Sequence, residues 1–225
     1  AADGGPDNAE WPHNVVAGLS VLASACDEPV GGWLTPALTA SRKGNGWALT
    51  GSKTAVAWGM EADALLVSAR IAGSDQAGLF LVLADAAGLA RQPQQGTDRT
   101  PLARLDFAEV DVPATALLGN EAVLRRHLGR MRVALAASQL GIAGEALRRT
   151  AEYTAGRVQF GRPIGSMQAV QQRAADGYMD VEAMRSTLWR AAWLIDEGTF
   201  DEVEIAAAKW WADVGGHRVT HTAQH

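Results

Sequence analysis

The sequence predicts an α+β multidomain chain, with an antiparallel β barrel or sandwich followed by an antiparallel helical bundle. Three observations carry this. Up to about residue 120, short β-type runs alternate with Gly, Pro, Asn and Asp punctuation. Beyond it, apolar residues recur every three or four positions. No helix-length segment separates the β runs, which argues against a doubly wound α/β domain.

Val15–Ala25 is apolar and reads as a helix end or a buried strand. Gly46–Gly51 reads as a turn entering a strand. Leu65-Leu66-Val67 marks a buried strand within Ala62–Arg70, and Gly78–Ala84 marks another, bounded by Asp85 and Gly88. Leu105, Phe107, Val110 and Val112 make a strand that Pro113 closes. From Glu121 to about Thr154, Leu124, Leu128, Met131, Leu135, Leu140 and Leu147 keep helical spacing with no proline. Gly161-Arg162-Pro163 interrupts the pattern, and Ser166 is expected to N-cap the next helix. That helix presents Val170, Ala174, Tyr178, Val181, Met184, Leu188, Ala192 and Ile195. Gly198 fits its stop and Asp201 the next start, before Val203, Ala206, Ala207, Trp210 and Val214.

Composition sets the outer bounds. The 225 residues carry a formal net charge of -5, and this mild acidity without a basic block argues against nucleic acid or an anionic membrane as partner. Cys26, the single cysteine, excludes an internal disulfide and a Cys-based zinc site. No apolar run approaches the roughly 20 residues a membrane span needs. The first residues lack the basic and apolar regions of a signal peptide, so a cytoplasmic setting is expected.

Few motifs carry chemistry on their own. His217, His221 and His225 are spaced to share a helix face, but no nearby acid completes a zinc set, so a polar helix end is expected and no metal. Gly44-Asn45-Gly46 is a turn, and neither a dinucleotide fingerprint nor a nucleophile elbow occurs. The distinctive stretch is Arg157-Val158-Gln159-Phe160-Gly161-Arg162-Pro163-Ile164. A guanidinium fork there suits a phosphate or pyrophosphate. The alternative stands beside it: a helix-connecting turn with Phe160 as a plug and Arg157 as a surface charge.

Tyr153-x-x-x-Arg157-x-Gln159-Phe160-Gly161-Arg162-Pro163-Ile164, followed by Gln168-Ala169-Val170-Gln171, resembles the helical-domain signature of the acyl-CoA dehydrogenases. Gly46-Trp47-x-Leu49-x-Gly51-x-Lys53, Ala62-Asp63 and Leu105–Pro113 with Leu117-Leu118-Gly119 look like that family's middle β domain. Ala206–Ala212 resembles the next helix. The resemblance implies three parts: 1–20 as the tail of an N-terminal helical region whose domain is otherwise absent, 21–120 as the middle β domain, and 121–225 as an incomplete C-terminal helical domain.

It further implies FAD as cofactor, an acyl-CoA substrate oxidised to the 2,3-enoyl-CoA, and an electron-transfer flavoprotein as acceptor. A homo- or heterotetramer through the helical domain is implied too. Trp189, Trp193, Trp210 and Trp211 give that domain more aromatic area than a short bundle hides. In the family the pyrophosphate end of FAD reaches across to a neighbouring subunit, and the matching positions are Arg157, Gln159, Phe160 and Gln168. His225 falls where relatives often place a glutamine near the adenosine end. At the flavin end the chain departs from the pattern, because Ala55 and Ala57 replace bulkier residues and Asp27 replaces a neutral one. The catalytic glutamate of some relatives matches Met131, which cannot take a proton, and others carry it beyond residue 225. Glu121 and Glu145 are expected to be surface or helix-pairing residues, so no catalytic residue is assigned. Two functions follow: a dehydrogenase subunit in its own right, or a non-catalytic partner that lends Arg157 and Phe160 to the FAD site of a catalytic subunit.

Overall fold

The computed structural model describes residues 10–225. They divide into two compact units, the first ending at Arg125 and the second spanning Arg126–His225. Residues 1–9 of the expected 1–20 tail lie outside the described residues. The rest of that tail holds a short helix, α1 (Glu10–Val16), and the strand β1 (Leu22–Ala25) follows, so the apolar run 15–25 is part helix and part strand.

The first unit is built on an eight-stranded sheet. Its strands are β1, β4 (Thr39–Lys43), β5 (Gly46–Ala57), β6 (Ala64–Ile71), β7 (Ala77–Leu83), β8 (Leu89–Gln95), β9 (Pro101–Val112) and β10 (Leu117–Asn120). The two-residue strands β2 (Gly31–Gly32) and β3 (Thr35–Pro36) form a separate small hairpin. Strand order is β10-β7-β6-β4-β5-β9-β8, with β1 also on β6.

The sheet corrects the expectation of an antiparallel barrel. It is mixed, and its path has edges at β10 and β8 instead of closing. One side of β6 is shared end to end by two parallel neighbours: β1 beside Ala64–Val67, and β4 beside Arg70 and Ile71. Parallel pairing needs a long crossover. Residues 26–63 supply it as a loop and the β4–β5 hairpin, not as a helix, so the missing helix gave no warning. Flanked on both sides, β6 and β7 are almost wholly buried. The edge strand β8 is mostly exposed and tolerates Pro93.

The core beneath the sheet holds Leu49, Leu65, Val67, Phe80, Val82, Leu105 and Val110. Trp47 stands edge-on to Phe80 at 5.6 Å between ring centroids. Gly51 lies in the left-handed region at φ 141°, and a Cβ there would come within 2.8 Å of Leu38 Cα. Glycine is what lets β5 pass this close to the segment before β4.

Three long helices make the second unit: α2 (Glu121–Gly156), α3 (Gln168–Asp196) and α4 (Glu202–Gln224). Ala136, Leu140 and Ala143 of α2, Val181, Met184 and Leu188 of α3, and Ala212 and Val219 of α4 share one apolar core. Ion pairs Arg190–Glu204 and Arg218–Asp180 set α3 and α4 antiparallel. The α3–α4 turn follows the local signals. Gly198 takes φ 76° and donates its N–H to Ile195 O, while Thr199 N–H donates to Leu194 O, the two bonds of a Schellman closure. Asp201 caps α4, its Oδ1 accepting from Val203 N at 2.9 Å and Glu204 N at 3.2 Å. Ser166 does not cap α3. It sits in a 3₁₀ turn and donates its hydroxyl to Pro163 O at 2.7 Å, which leaves Met167 at the cap position with no side-chain bond.

No helix among the described residues is long and apolar enough to cross a membrane.

Candidate functional site

The segment 157–163 folds as a β-hairpin on the end of α2. Arg157 N–H donates to Tyr153 O at 2.9 Å, completing the last helical turn. Strand β11 (Val158–Gln159) then pairs with β12 (Arg162–Pro163), and Ile164 N–H closes the base onto Arg157 O at 2.8 Å. Phe160 and Gly161 form the two-residue loop at φ 53° and 77°, so both central residues are left-handed, as a type I′ turn demands. Glycine takes this conformation freely, whereas a phenylalanine is strained by about 1–3 kcal/mol. The strained ring is also 92% exposed, so it gains nothing from packing within this chain. A plug for a local turn would be buried, so that reading of Phe160 is set aside.

The structure gathers Arg157, Gln159 and Phe160 on this hairpin and puts Gln168 at the first position of α3. All four are exposed, and the side chains of Arg157, Gln159 and Gln168 are without a hydrogen bond or ion pair among the described residues. The N terminus of α3 has no side-chain cap, so its end carries the partial positive charge that favours an anion. The hairpin and the first turn of α3 thus present donors that no group among the described residues engages.

The first unit offers the opposite arrangement. Asp27 Oδ1 accepts from Trp33 Nε1 at 2.6 Å, and Asp27 O accepts from Thr54 N at 3.0 Å. Next to it, the Glu28 side chain is 3% exposed and accepts from Lys53 Nζ at 2.5 Å, Ala37 N at 2.5 Å and Leu38 N at 3.2 Å. Lys53 is fully buried and donates also to Ser68 Oγ at 2.8 Å. Burial pulls the Lys53 ammonium below its ordinary value, against the opposing pull of Glu28. Further along β5, a register shift between Lys53 and Val56 puts Ala55 at φ 51°. Its N–H donates to Gln94 Oε1 at 3.0 Å, which also takes Thr54 Oγ1 at 3.2 Å. Ala55 and Ala57 add no side-chain donor.

Sequence reading missed the Glu28–Lys53–Ser68 network and the Trp33–Asp27 bond. The Glu28–Lys53 and Asp27–Trp33 pairs are 25 and 6 residues apart with no periodicity to join them, and Lys53, flanked by Gly51, Ser52 and Thr54, carries no local sign of a buried partner. The carboxylates of the first long helix behave as expected. Glu121 pairs with Arg125 at i+4. Glu145 pairs with Arg148 and Arg149, whose guanidiniums hold its carboxyl down to about 2. Met131 is half-buried on α2. His221 and His225 meet in a tilted ring contact, 4.4 Å between centroids and 52° between planes, and no group of three metal-ligating side chains forms among the described residues.

Residues 119–225 match the family model of the acyl-CoA dehydrogenase C-terminal domain. Among curated proteins the chain is 37% identical to acyl-CoA dehydrogenase FadE27 of Mycobacterium tuberculosis over 96% of its own length and 58% of that protein's. It is 30% identical to the bovine mitochondrial short-chain specific acyl-CoA dehydrogenase, over 95% and 55%. Among solved structures, the Tcur3481-Tcur3483 steroid ACAD superimposes at TM-score 0.90 with 41% identity, covering 99% of this chain and 60% of that one. The ChsE4-ChsE5 complex of Mycobacterium tuberculosis gives TM-score 0.84 and 38% identity, covering 95% and 57%. The chain therefore spans somewhat over half the length of the relatives it matches.

Proposed function

This chain belongs to the acyl-CoA dehydrogenase family, and from that premise we propose that it is part of one subunit of a heteromeric, FAD-dependent acyl-CoA dehydrogenase. The whole enzyme would convert an acyl-CoA thioester to the 2,3-enoyl-CoA in the cytoplasm and pass electrons to an electron-transfer flavoprotein. Within it, this chain gives the hairpin half of a flavin site whose remainder stands on the partner subunit.

The observation that carries the proposal is the hairpin. The donor set fits FAD by its chemistry. Arg157 offers a guanidinium fork for a pyrophosphate, Gln159 and Gln168 offer amides, and exposed Phe160 offers a ring to pack beside the cofactor. FAD, when bound, supplies the acceptor for the β-hydride. The chain's own part is to neutralise phosphate charge with Arg157 and to hold the cofactor's end in place with a pre-formed turn. Among the described residues none is free to remove the α-proton: Met131 matches the position of the base in some relatives and cannot take a proton, and Glu121 and Glu145 are tied to arginines.

A heteromeric assembly is supported from two sides. Trp189, Trp193 and Trp210 are each more than half exposed on α3 and α4, an apolar surface of the kind that partners cover. Two similar solved structures bear paired names, ChsE4-ChsE5 and the steroid ACAD Tcur3481-Tcur3483. The second reading, a subunit that is itself the catalyst, draws on the same intact hairpin. It parts from the first at the flavin end, where Asp27 is bonded to Trp33 and Ala55 and Ala57 cannot cover a ring.

The test is Arg157→Ala in the full-length protein with its partner. Flavin retention, followed by absorbance after dilution, should weaken about ten- to a hundredfold. Unchanged flavin occupancy and affinity would reduce Arg157 to a surface charge and remove the proposal's support.

A further inference from the structure

A second group of unengaged cations lies at the other end of α2. Between α2 and the α3–α4 turn is a cavity of about 120 Å³ lined by Arg126, Arg130, Ile195, Gly198, Thr199 and Phe200. Arg126 and Arg130 are spaced i, i+4, so they emerge on one face of the helix. Neither has a hydrogen bond or an ion pair among the described residues, and the Thr199 hydroxyl is equally unengaged. The neighbouring charges do not relieve them. Asp201 is occupied as the cap of α4, Glu204 is paired with Arg190, and Glu202 already has a partner. Asp196 and Glu197 are exposed and do not line the cavity.

The two arginines have no structural duty that explains them. They are not needed to cap α3, because the Schellman closure already satisfies Ile195 O and Leu194 O. Their like charges four positions apart disfavour the bare helix by a few tenths of a kcal/mol. Burial first and then Arg130 push the nearby His127 below its ordinary value, so the positive field there is felt. The floor of the cavity is nevertheless firmly built. Phe200 packs so closely on Gly129 that a Cβ at Gly129 would lie 2.4 Å from its ring. Two guanidinium forks and a hydroxyl around a fixed apolar floor match the oxygens of a phosphate.

We infer that this cavity is a phosphate-binding subsite, formed by Arg126, Arg130 and Thr199. It is separate from the hairpin, since Arg126 and Arg130 lie roughly 40 Å or more from Arg157 along α2 at about 1.5 Å rise per residue. The phosphate comes either from the nucleotide end of a CoA thioester, which rests on the function proposed above, or from free inorganic phosphate, which does not.

The experiment uses the full-length subunit in its purified complex, titrated with inorganic phosphate at constant ionic strength. The double variant Arg126→Gln, Arg130→Gln should lower phosphate affinity by about tenfold or more. Arg149→Gln, an exposed arginine of the same helix paired with Glu145, should leave it unchanged. A second arm compares CoA with dephospho-CoA. If the double variant erases the preference for CoA, the ligand is the nucleotide phosphate. If the preference is untouched while inorganic phosphate binding is lost, it is free phosphate. No measurable phosphate binding, or equal binding by wild type and the double variant with an unchanged melting temperature, overturns the inference.

Discussion

The loop around Asp27 and Glu28 and the hairpin around Arg157 are both polar segments, yet the protein treats them in opposite ways. In the first, polar side chains point inward and find their partners inside the chain: Asp27 with Trp33, Glu28 with Lys53, Lys53 with Ser68. In the second, Arg157, Gln159 and Gln168 point outward and find none. Satisfied buried groups hold a fold together but have little left to offer a ligand. Exposed groups on a strained turn contribute little to the fold and stay available to a ligand.

The contrast can be broken most forcefully at Glu28. Glu28→Ala leaves Lys53 buried and without its counter-charge, which should cost about 3–5 kcal/mol of stability. Urea denaturation followed by tryptophan fluorescence would register it, and a loss well under 1 kcal/mol would mean that the pair is dispensable. Trp33→Phe removes one hydrogen bond from half-buried Asp27 and should cost about 1–2 kcal/mol by the same measurement. It should not improve flavin binding in this chain alone, because Ala55 and Ala57 remain. At the hairpin the signs reverse. Phe160→Gly relieves a left-handed phenylalanine, so stability should hold or rise by up to about 1 kcal/mol while flavin retention falls. A loss of stability instead would show Phe160 to be a packing residue.

These two regions also show how far the sequence could be read. The long helices were legible because apolar spacing persists over many turns, and Gly198 and Asp201 mark their ends by local chemistry alone. Strands β5, β6, β7 and β9 were legible as apolar runs. Strands β4 and β8 were not, since Thr39–Lys43 and Leu89–Gln95 are polar and largely exposed, so no hydrophobic alternation betrays them. The parallel neighbours of β6 depend on which distant segments meet, and no local signal records that. Within the candidate site, the identity of the hairpin residues was readable, but the turn was not. A Phe-Gly pair is an unusual occupant of a type I′ loop, where Asn-Gly or Gly-Gly is favoured. Ser166 shows the same limit: its hydroxyl turns back to donate to Pro163 O, and the cap position falls to Met167.

On the proposed function, this chain lends a cofactor-binding hairpin without completing a flavin site of its own. The direct measurement is flavin absorbance per chain, with acyl-CoA-dependent bleaching of the oxidised flavin, for the full-length protein expressed alone and with its partner. Little flavin and no bleaching are expected for the protein alone, and about one FAD per two chains with bleaching in the complex. Full occupancy and bleaching in the protein expressed alone would contradict it.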